Sequence, residues 1–268
     1  DEEILSVTIL LLNAGHEATV HTLGNGVRLA LETGARPENP ERFVEEGGRG
    51  VAPWPWELTA EIQGWASLHD ASVLVGAYRR DDRGLYNALL HLGPEGVVGF
   101  YDKVALVPGV ERGPGGLVPG GRPGLLTAQG RPGVLICIES AWATLGRGLA
   151  RGGAGWLLNV TNDAWLGEEV DGVGVTSPAF YQHPWHLILR SVETGRGAVR
   201  VANNGLTGTV DPVGRWNRVL APHQAGAAVV LVGGLDSDPV FLRGGHRLGL
   251  LVFLLLVLGP IVRRPYPS

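Results

Sequence analysis

Short apolar runs, each closed off by Gly, Pro or Asn, recur from one end of the chain to the other. They confine it to a fold built on sheets. Ile4–Leu12, Ala71–Tyr78, Leu85–Leu92, Val97–Tyr101, Gly133–Ile138, Gly155–Val160, Ala198–Ala202, Leu206–Val210 and Ala227–Val232 read as strands, with Gly50–Pro53 a shorter one. Between some of them the apolar spacing turns helical: over Thr19–Thr33, although Gly24 and Gly26 weaken it, over Trp56–His69, over Ser140–Arg151, and from about Pro184 to Thr194. Gly93-Pro94-Glu95-Gly96 joins two strands as a hairpin, and Ala227–Val232 is expected to close the sheet. Ala35–Gly50, the Gly- and Pro-dense Pro108–Gly124 and the stretch around Val170–Pro178 read as loops. Helices alternate with strands, yet several strands follow one another directly. That predicts an α/β sandwich with mixed sheets rather than a simple doubly wound sheet.

Composition excludes several functions. The formal net charge of -4 argues against a general nucleic-acid binder, which carries a basic surplus. With 44% hydrophobic and 18% charged residues, the 268-residue chain can bury a real core and is not disordered. A single cysteine, Cys137, permits no internal disulfide and no CxxC metal site. The chain contains no Met and starts at Asp1, so it is expected to be processed or part of a longer protein. Ile4–Leu12 follows acidic residues and not the basic region of a signal peptide.

Two residues stand out by rarity. Of 22 basic residues only Lys103 is lysine. A lone Lys among arginines either survived by chance or sits where a compact ammonium is required and a planar guanidinium cannot serve. Cys137 ends a strand that runs into a helix. It is either a buried structural thiol or a nucleophile at a strand-to-helix elbow, where a helix N-terminus favours the thiolate. None of the His residues falls in a recognisable Cys/His signature, which leaves a carboxylate base with a nearby ammonium as the other option. Glu57, Lys103 and Cys137 all lie just after strands, where α/β sheets place their sites.

The carboxyl end is different in kind. Leu248–Val262 is uncharged and has no polar face, with Arg243 and Arg247 before it and Arg263 and Arg264 after. Its 15 residues reach roughly 22 Å as a helix, short of a ~30 Å hydrocarbon core. Length favours a buried core helix; the missing polar face and terminal position predict a membrane span. The expected division is a catalytic domain over 1–240, then a membrane helix and tail over 241–268.

The order Glu, then Lys in a Y-D-K run, then Cys in an I-C-x-E run resembles the nitrilase, or carbon-nitrogen hydrolase, superfamily with its Glu-Lys-Cys triad. The finer resemblance is to the apolipoprotein N-acyltransferase family. It rests on Tyr101-Asp102-Lys103 with Leu106-Val107-Pro108 and Glu111, on Ile136-Cys137-Ile138-Glu139, and on Asn162-Asp163-Ala164-Trp165-Leu166-Gly167. It continues through Gln182-His183, Arg190-Ser191-Val192-Glu193-Thr194-Gly195-Arg196 and Arg200-Val201-Ala202-Asn203-Asn204-Gly205. The match runs in order from about Gly50 to Arg215. Departures are one extra residue in Trp54-Pro55-Trp56-Glu57, which leaves Glu61 as the alternative base, Ile138 in place of Tyr, a Gly-rich loop after Pro108, and a longer Glu168–Tyr181 segment.

The resemblance implies a nitrilase-like αββα sandwich and ping-pong acyl transfer. Glu57 would take the Cys137 proton, and the thiolate would attack a phospholipid ester. Lys103 and the Ile138 N–H would hold the oxyanion, and the Cys137 thioester would pass its acyl chain to the diacylglyceryl-cysteine amine of an apolipoprotein. Glu111 and Glu139 would orient Lys103 and its loop; Asn162, Trp165, Glu193, Arg196 and Arg200 would support the site. Taken singly, Glu193 and Arg196 could equally be a surface helix pair, and Arg200 solvated. No metal or organic cofactor is implied. The family sets this domain after upstream membrane helices, on the periplasmic or outer side of the inner membrane, so the chain reads as the carboxyl-terminal part of a larger membrane enzyme. The alternatives are a soluble nitrilase-type amidase using the same triad and a non-catalytic membrane-anchored binding domain.

Overall fold

A computed structural model describes residues 5–11, 27–32, 63–64, 66–68, 70–113, 116–163, 166–170, 173–224, 226–235, 238–245, 247 and 251–257. Two six-stranded sheets dominate it. The first is a run of neighbours in chain order: β1 (Leu5–Leu11), β2 (Val27–Glu32), β3 (Ala71–Asp81), β4 (Gly84–Gly93) and β5 (Gly96–Asp102). Every pairing in it is antiparallel.

The second sheet is mixed. Its chain-order strands are β6 (Gly124–Leu125), β7 (Pro132–Ile136), β8 (Trp156–Asn162), β11 (Ala198–Asn203), β12 (Thr207–Val210) and β13 (Trp216–Leu220). A separate ribbon pairs β9 (Glu168–Val170) with β10 (Val173–Val175). Within the mixed sheet β7, β8 and β11 run parallel, because each is joined to the next through a helix. A 3₁₀ turn at Cys137–Ala141 and helix α1 (Ala143–Arg151) connect β7 to β8. Helix α2 (Ala179–Thr194) returns the chain to β11. The last strand, β14 (Gly226–Val232), leaves this sheet and pairs with β1 at the edge of the first.

Three apolar layers follow. Leu74, Leu89 and Tyr101 of the first sheet meet Val134, Ile136, Trp156, Leu158, Val160, Val199 and Val201 of the second between the sheets. Outside the mixed sheet, Leu149 of α1 and Leu187 of α2 pack on Leu135, Leu157 and Ala198. Outside the first, Ala66 in the helical residues 66–68 packs on Val73, Val75, Leu90 and Leu92. Helix, sheet, sheet, helix is the expected sandwich. Its position-by-position logic is the period-2 burial of strands with both faces covered, hence near-continuous apolar runs.

Several expectations change. Thr19–Thr33 is not a helix throughout: residues 27–32 form β2, because Val27, Leu29 and Leu31 alternate with Arg28, Ala30 and Glu32 and pair with β1 and β3. Residues 168–175 are not only loop; Val170 pairs with Val173 across Asp171-Gly172, a dipeptide of hairpin type. Helix α2 starts at Ala179, five residues before Pro184, which is buried inside it and not its opening residue. Strands β6 and β13 add to those the sequence predicts, and β14, the strand expected to close the sheet, does so on β1 of the first sheet. The expected strand Gly50–Pro53, the loop before it and most of Trp56–His69 lie outside the described residues.

Past β14, the turn Phe241–Gly245 packs back on the domain: Leu242 is buried and its carbonyl accepts a hydrogen bond from Arg151 at 3.0 Å. Of the expected span Leu248–Val262, residues 251–257 are described, helical and exposed along their whole length. Among the described residues no helix is long and apolar enough to cross a membrane.

Candidate active site

The site forms where strand ends of both sheets converge. Lys103 directly follows β5. Cys137 directly follows β7, Asp163 directly follows β8, and Asn203 ends β11. Parallel strands present their carboxyl ends together, so residues far apart in the chain reach one place.

Cys137 has φ +53°, a left-handed backbone at a non-glycine residue. Such a conformation is costly and persists only where surrounding structure enforces it. Here it turns the chain from an extended strand into the 3₁₀ turn in one step. Cys137 opens that turn and Ile138 is its second residue, in the first turn where N–H groups lack partners within the turn. Burial alone pushes the thiol up. The His183 imidazole and the Lys103 ammonium pull it the other way, and the net effect places it below the ordinary thiol value.

Lys103 is almost wholly buried, and its Nζ donates to Glu111 Oε2 at 2.6 Å. Glu111 is itself fixed, accepting from Asn87 Nδ2 at 2.9 Å and from the Val107 N–H at 2.8 Å. The sequence around Lys103 is therefore a cation on a strand end, a short loop and a carboxylate that folds back onto it.

Glu139 has no exposed surface and joins the two sheets' contributions. It accepts from the Tyr101 hydroxyl at 2.9 Å and from the N–H groups of Val104 (2.7 Å), Ala105 (2.9 Å) and Ile136 (2.7 Å). The residues on either side of Lys103 are thus tied through one carboxylate to the strand that carries Cys137. Burial raises the Glu139 pKa and these donors oppose the rise.

A second polar cluster was not recognised from the sequence. Asp163, fully buried, accepts from Thr161 Oγ1 at 2.9 Å and Arg200 Nη2 at 2.5 Å, and meets His183 Nδ1 at 3.0 Å. Arg200 also holds Asn159, which donates to the carbonyls of Leu135 at 2.9 Å and Cys137 at 3.3 Å. Burial would push Asp163 up, but Arg200 and then His183 hold it below the ordinary carboxylate value; burial and Arg200 push His183 down, but its contact with Asp163 helps to hold it above the ordinary imidazole value. Gly205 makes the cluster possible: a Cβ there would lie 2.2 Å from Asp163 Oδ2.

The other expected supports divide. Glu193 contacts Arg190 (Nη2 to Oε1, 2.9 Å), whose Nη1 donates to the carbonyls of Ser140 and Ala141 in the nucleophile turn. Glu193 therefore reaches the site through Arg190 and not through Arg196. Arg196 points elsewhere, to the Ala154 and Thr194 carbonyls and Asp238. Gly195 between them caps α2 at φ +65°. Asn162 accepts from Asn203 Nδ2 at 3.2 Å across the β8–β11 pairing. Arg200 is fully buried and not solvated. Glu57, its alternative Glu61 and Trp165 lie outside the described residues. No group of three or more His, Cys, Asp or Glu among the described residues could hold a metal.

Comparison with known proteins adds to this geometry. The carbon-nitrogen hydrolase family model matches residues 26–225. The chain is 29% identical over 231 residues to an apolipoprotein N-acyltransferase of Chlamydia trachomatis, covering 75% of this chain and 41% of that one. It is 32% identical over 219 residues to that of Agrobacterium fabrum, covering 71% and 39%. The chain thus spans well under half of the length of either relative. Among solved structures, an amidase from Nesterenkonia sp. AN1, with acrylamide added at its active-site cysteine, superposes with a TM-score of 0.53 at 18% identity, covering 75% of this chain and 76% of that one. That likeness is one of fold.

Proposed function

The chain belongs to the carbon-nitrogen hydrolase family, and from that membership we propose that it is the catalytic part of an N-acyltransferase. It would move a fatty acyl chain from a phospholipid to the amino-terminal diacylglyceryl-cysteine of an apolipoprotein. The observation that carries this reading is its 29–32% identity, over 71–75% of its length, to curated apolipoprotein N-acyltransferases.

In this reading the Cys137 thiolate attacks the ester carbonyl, and the electron pair of the carbonyl moves onto oxygen. The buried Lys103 ammonium and the Ile138 N–H stabilise that oxyanion. Glu57 carries the proton from the thiol to the leaving lysophospholipid, and a thioester remains on Cys137. The acceptor amine then attacks the thioester, Glu57 takes its proton, and the thiolate leaves. Glu111 keeps the ammonium aimed, and Glu139 fixes the distance between the Lys103 segment and the nucleophile turn. Seven successive exposed apolar side chains over 251–257 favour a tail that meets a membrane, and with it a site on the periplasmic or outer side of the inner membrane.

The test uses the full chain in detergent with phospholipid. Mass spectrometry should find an acyl adduct on Cys137, lost in Cys137→Ala and Cys137→Ser, that a diacylglyceryl-cysteine peptide then removes. An active Cys137→Ala protein, or hydrolysis of small amides with no acylation from phospholipid, overturns the acyltransferase reading.

A further inference from the structure

Asn159 is a polar residue in an apolar layer. It lies in β8 two residues after Leu157, on the face that α1 and α2 cover, and has no exposed surface. A buried amide there is costly unless its polar atoms are satisfied, and here they are. The NH₂ group donates to the Leu135 carbonyl at 2.9 Å and to the Cys137 carbonyl at 3.3 Å, and Oδ1 accepts from Arg200 Nη1. A guanidinium has donors only, so Arg200 fixes which end of the amide is oxygen and turns the NH₂ group toward the nucleophile strand. Arg200 is held in turn by Asp163 at 2.5 Å and by the Leu206 carbonyl at 3.2 Å. The two carbonyls that share one nitrogen lie closer together than the roughly 6.6 Å that two residues advance along a strand. The chain has to curl between them, and it does so at the left-handed Cys137. Ser140 Oγ reaches the same Cys137 carbonyl from within the turn at 3.2 Å.

What this amide holds is one end of a peptide group whose other end is the Ile138 N–H. That group is planar and trans, so its C=O and N–H bonds point in opposite directions. Tying the carbonyl oxygen to β8 therefore sets the direction of the N–H. We propose that Asn159, locked by Arg200, is a positioning residue that aims the Ile138 N–H at the oxyanion formed when Cys137 attacks a carbonyl. Asn159 touches no reactant and moves no proton. Without it, the peptide between Cys137 and Ile138 gains freedom to rotate about its flanking bonds, and the donor leaves the place where charge develops. A donor of this kind acts fully only when it is preorganised at that place. A misplacement of about 1 Å can cost roughly 10²-fold in rate. The proposal rests on the reading above that Cys137 is the nucleophile and that the Ile138 N–H meets the oxyanion. It does not depend on which ester or amine the protein uses.

The experiment compares two reactions of the same thiol, in the full chain in detergent. Iodomethane methylates the thiolate by displacing iodide, with no carbonyl and no oxyanion. p-Nitrophenyl butyrate acylates it through a tetrahedral oxyanion: the Sγ–C bond forms, the bond to nitrophenolate breaks, and nitrophenolate leaves with that electron pair. Cys137 is the sole cysteine and the chain has no Met, so methylation of sulfur reports on this residue alone. Both rates scale with thiolate fraction and access, so their ratio isolates the oxyanion. In Asn159→Leu, which is close in size, the ratio of acylation to methylation should fall about tenfold or more, toward the roughly 10²–10³-fold of a lost oxyanion donor. Methylation itself should stay within about twofold of wild type. The loss should lie in the single-turnover rate at saturating ester, with the half-saturating concentration unchanged, because the donor acts in the transition state. A ratio within about threefold of wild type, well inside that donor effect, overturns the proposal. So does an equal fall of both rates, which would make Asn159 a support of the fold alone. Should Asn159→Leu fail to fold, Asn159→Asp keeps the shape and the contact with Arg200 and removes both donors; its ratio is judged by the same limits. A wild-type protein that takes no acyl group from the ester onto Cys137 overturns the nucleophile reading and the proposal with it. An acylated wild type beside an Asn159→Leu protein of unchanged ratio overturns the proposal alone.

Discussion

Replacing Glu139 by Gln tests whether one carboxylate, in its ionised form, fastens the ammonium segment to the nucleophile strand. The substitution keeps the size of the side chain and changes one oxygen into an NH₂. If the remaining oxygen stays with Val104 and Ala105, the NH₂ faces the Ile136 N–H across the 2.7 Å once spanned by a hydrogen bond. Two donors then oppose each other. The buried Ile136 N–H is left unsatisfied, at about 1–3 kcal/mol. The bonds from Val104, Ala105 and Tyr101 pass from charge-assisted to neutral and lose about 1 kcal/mol each. Relief from burying a charge offsets part of this. The net loss is about 2–4 kcal/mol, and at ~2–4 °C per kcal/mol the midpoint should fall by roughly 5–15 °C. Thermal unfolding followed by circular dichroism at pH 7 measures it. A midpoint within 2 °C of wild type would refute the reasoning, because a neutral amide replaces a neutral carboxylic acid at little cost. That outcome would mean burial has won over the four donors and Glu139 is protonated in the folded protein.

Two other outcomes follow from the same structure. Lys103→Arg should lose nearly as much single-turnover acylation as Lys103→Ala, about 10²–10³-fold, the usual effect of one oxyanion donor; Lys103 is almost wholly buried at 2.6 Å from Glu111, and a planar guanidinium does not reproduce a compact ammonium there. An Arg variant acylating within about threefold of wild type, well inside that loss, overturns the proposed oxyanion role of Lys103. His91 on β4 is buried with neither ring nitrogen hydrogen-bonded, and burial pushes it down to about 4. The folded-state pKa lies below the unfolded one, so the unfolded chain binds more protons between them. Stability is full above about pH 6.5 and falls as pH drops toward 4. Urea unfolding at pH 7 and pH 5 should show His91→Leu losing ~2 kcal/mol less than wild type over that interval. Equal losses in the two proteins would show that His91 does not set the acid limb.

What could be read from the chain depended on how local the signal was. Strand ends, the hairpin at Gly93–Gly96 and the rarity of Lys103 and Cys137 are properties of short windows, and they led directly to one side of the site. The different outcome at 27–32 has a local cause too: Val27, Ala30 and Leu31 fit a helical spacing while Val27, Leu29 and Leu31 fit an alternating one, and only the pairing with β1 and β3 decides. His183 is another matter. Its partners, Asp163 and Arg200, lie 20 and 17 positions away, and Cys137 further still. No spacing rule joins residues brought together by three parallel strands and a helix, so the search for a Cys/His signature found nothing. The Gln182-His183 motif was visible, but its place against Asp163 and Arg200 was not. Glu193 shows the same limit on a smaller scale. At i,i+3 it could have paired toward either end of the helix, and it pairs with Arg190, which carries it to the nucleophile turn.

The pairing of β1 with β14 bears on how the domain comes to be assembled. Strands β1 to β5 meet their neighbours within a contiguous stretch, and so does the mixed sheet from β6 to β13, so each half can form from contacts of modest sequence separation. Leu5 opposite Val232 is the exception, a contact across nearly the entire chain. Contacts of that kind form late, because the intervening loop must be closed before they return any energy. Until β14 arrives, β1 is an open edge able to accept a foreign strand. Val230 and Val232 are also missing from the layer between the sheets. During synthesis the nucleophile turn is therefore complete before its surroundings are sealed, and β14 covers the edge of β1 and fills that layer in a single docking event.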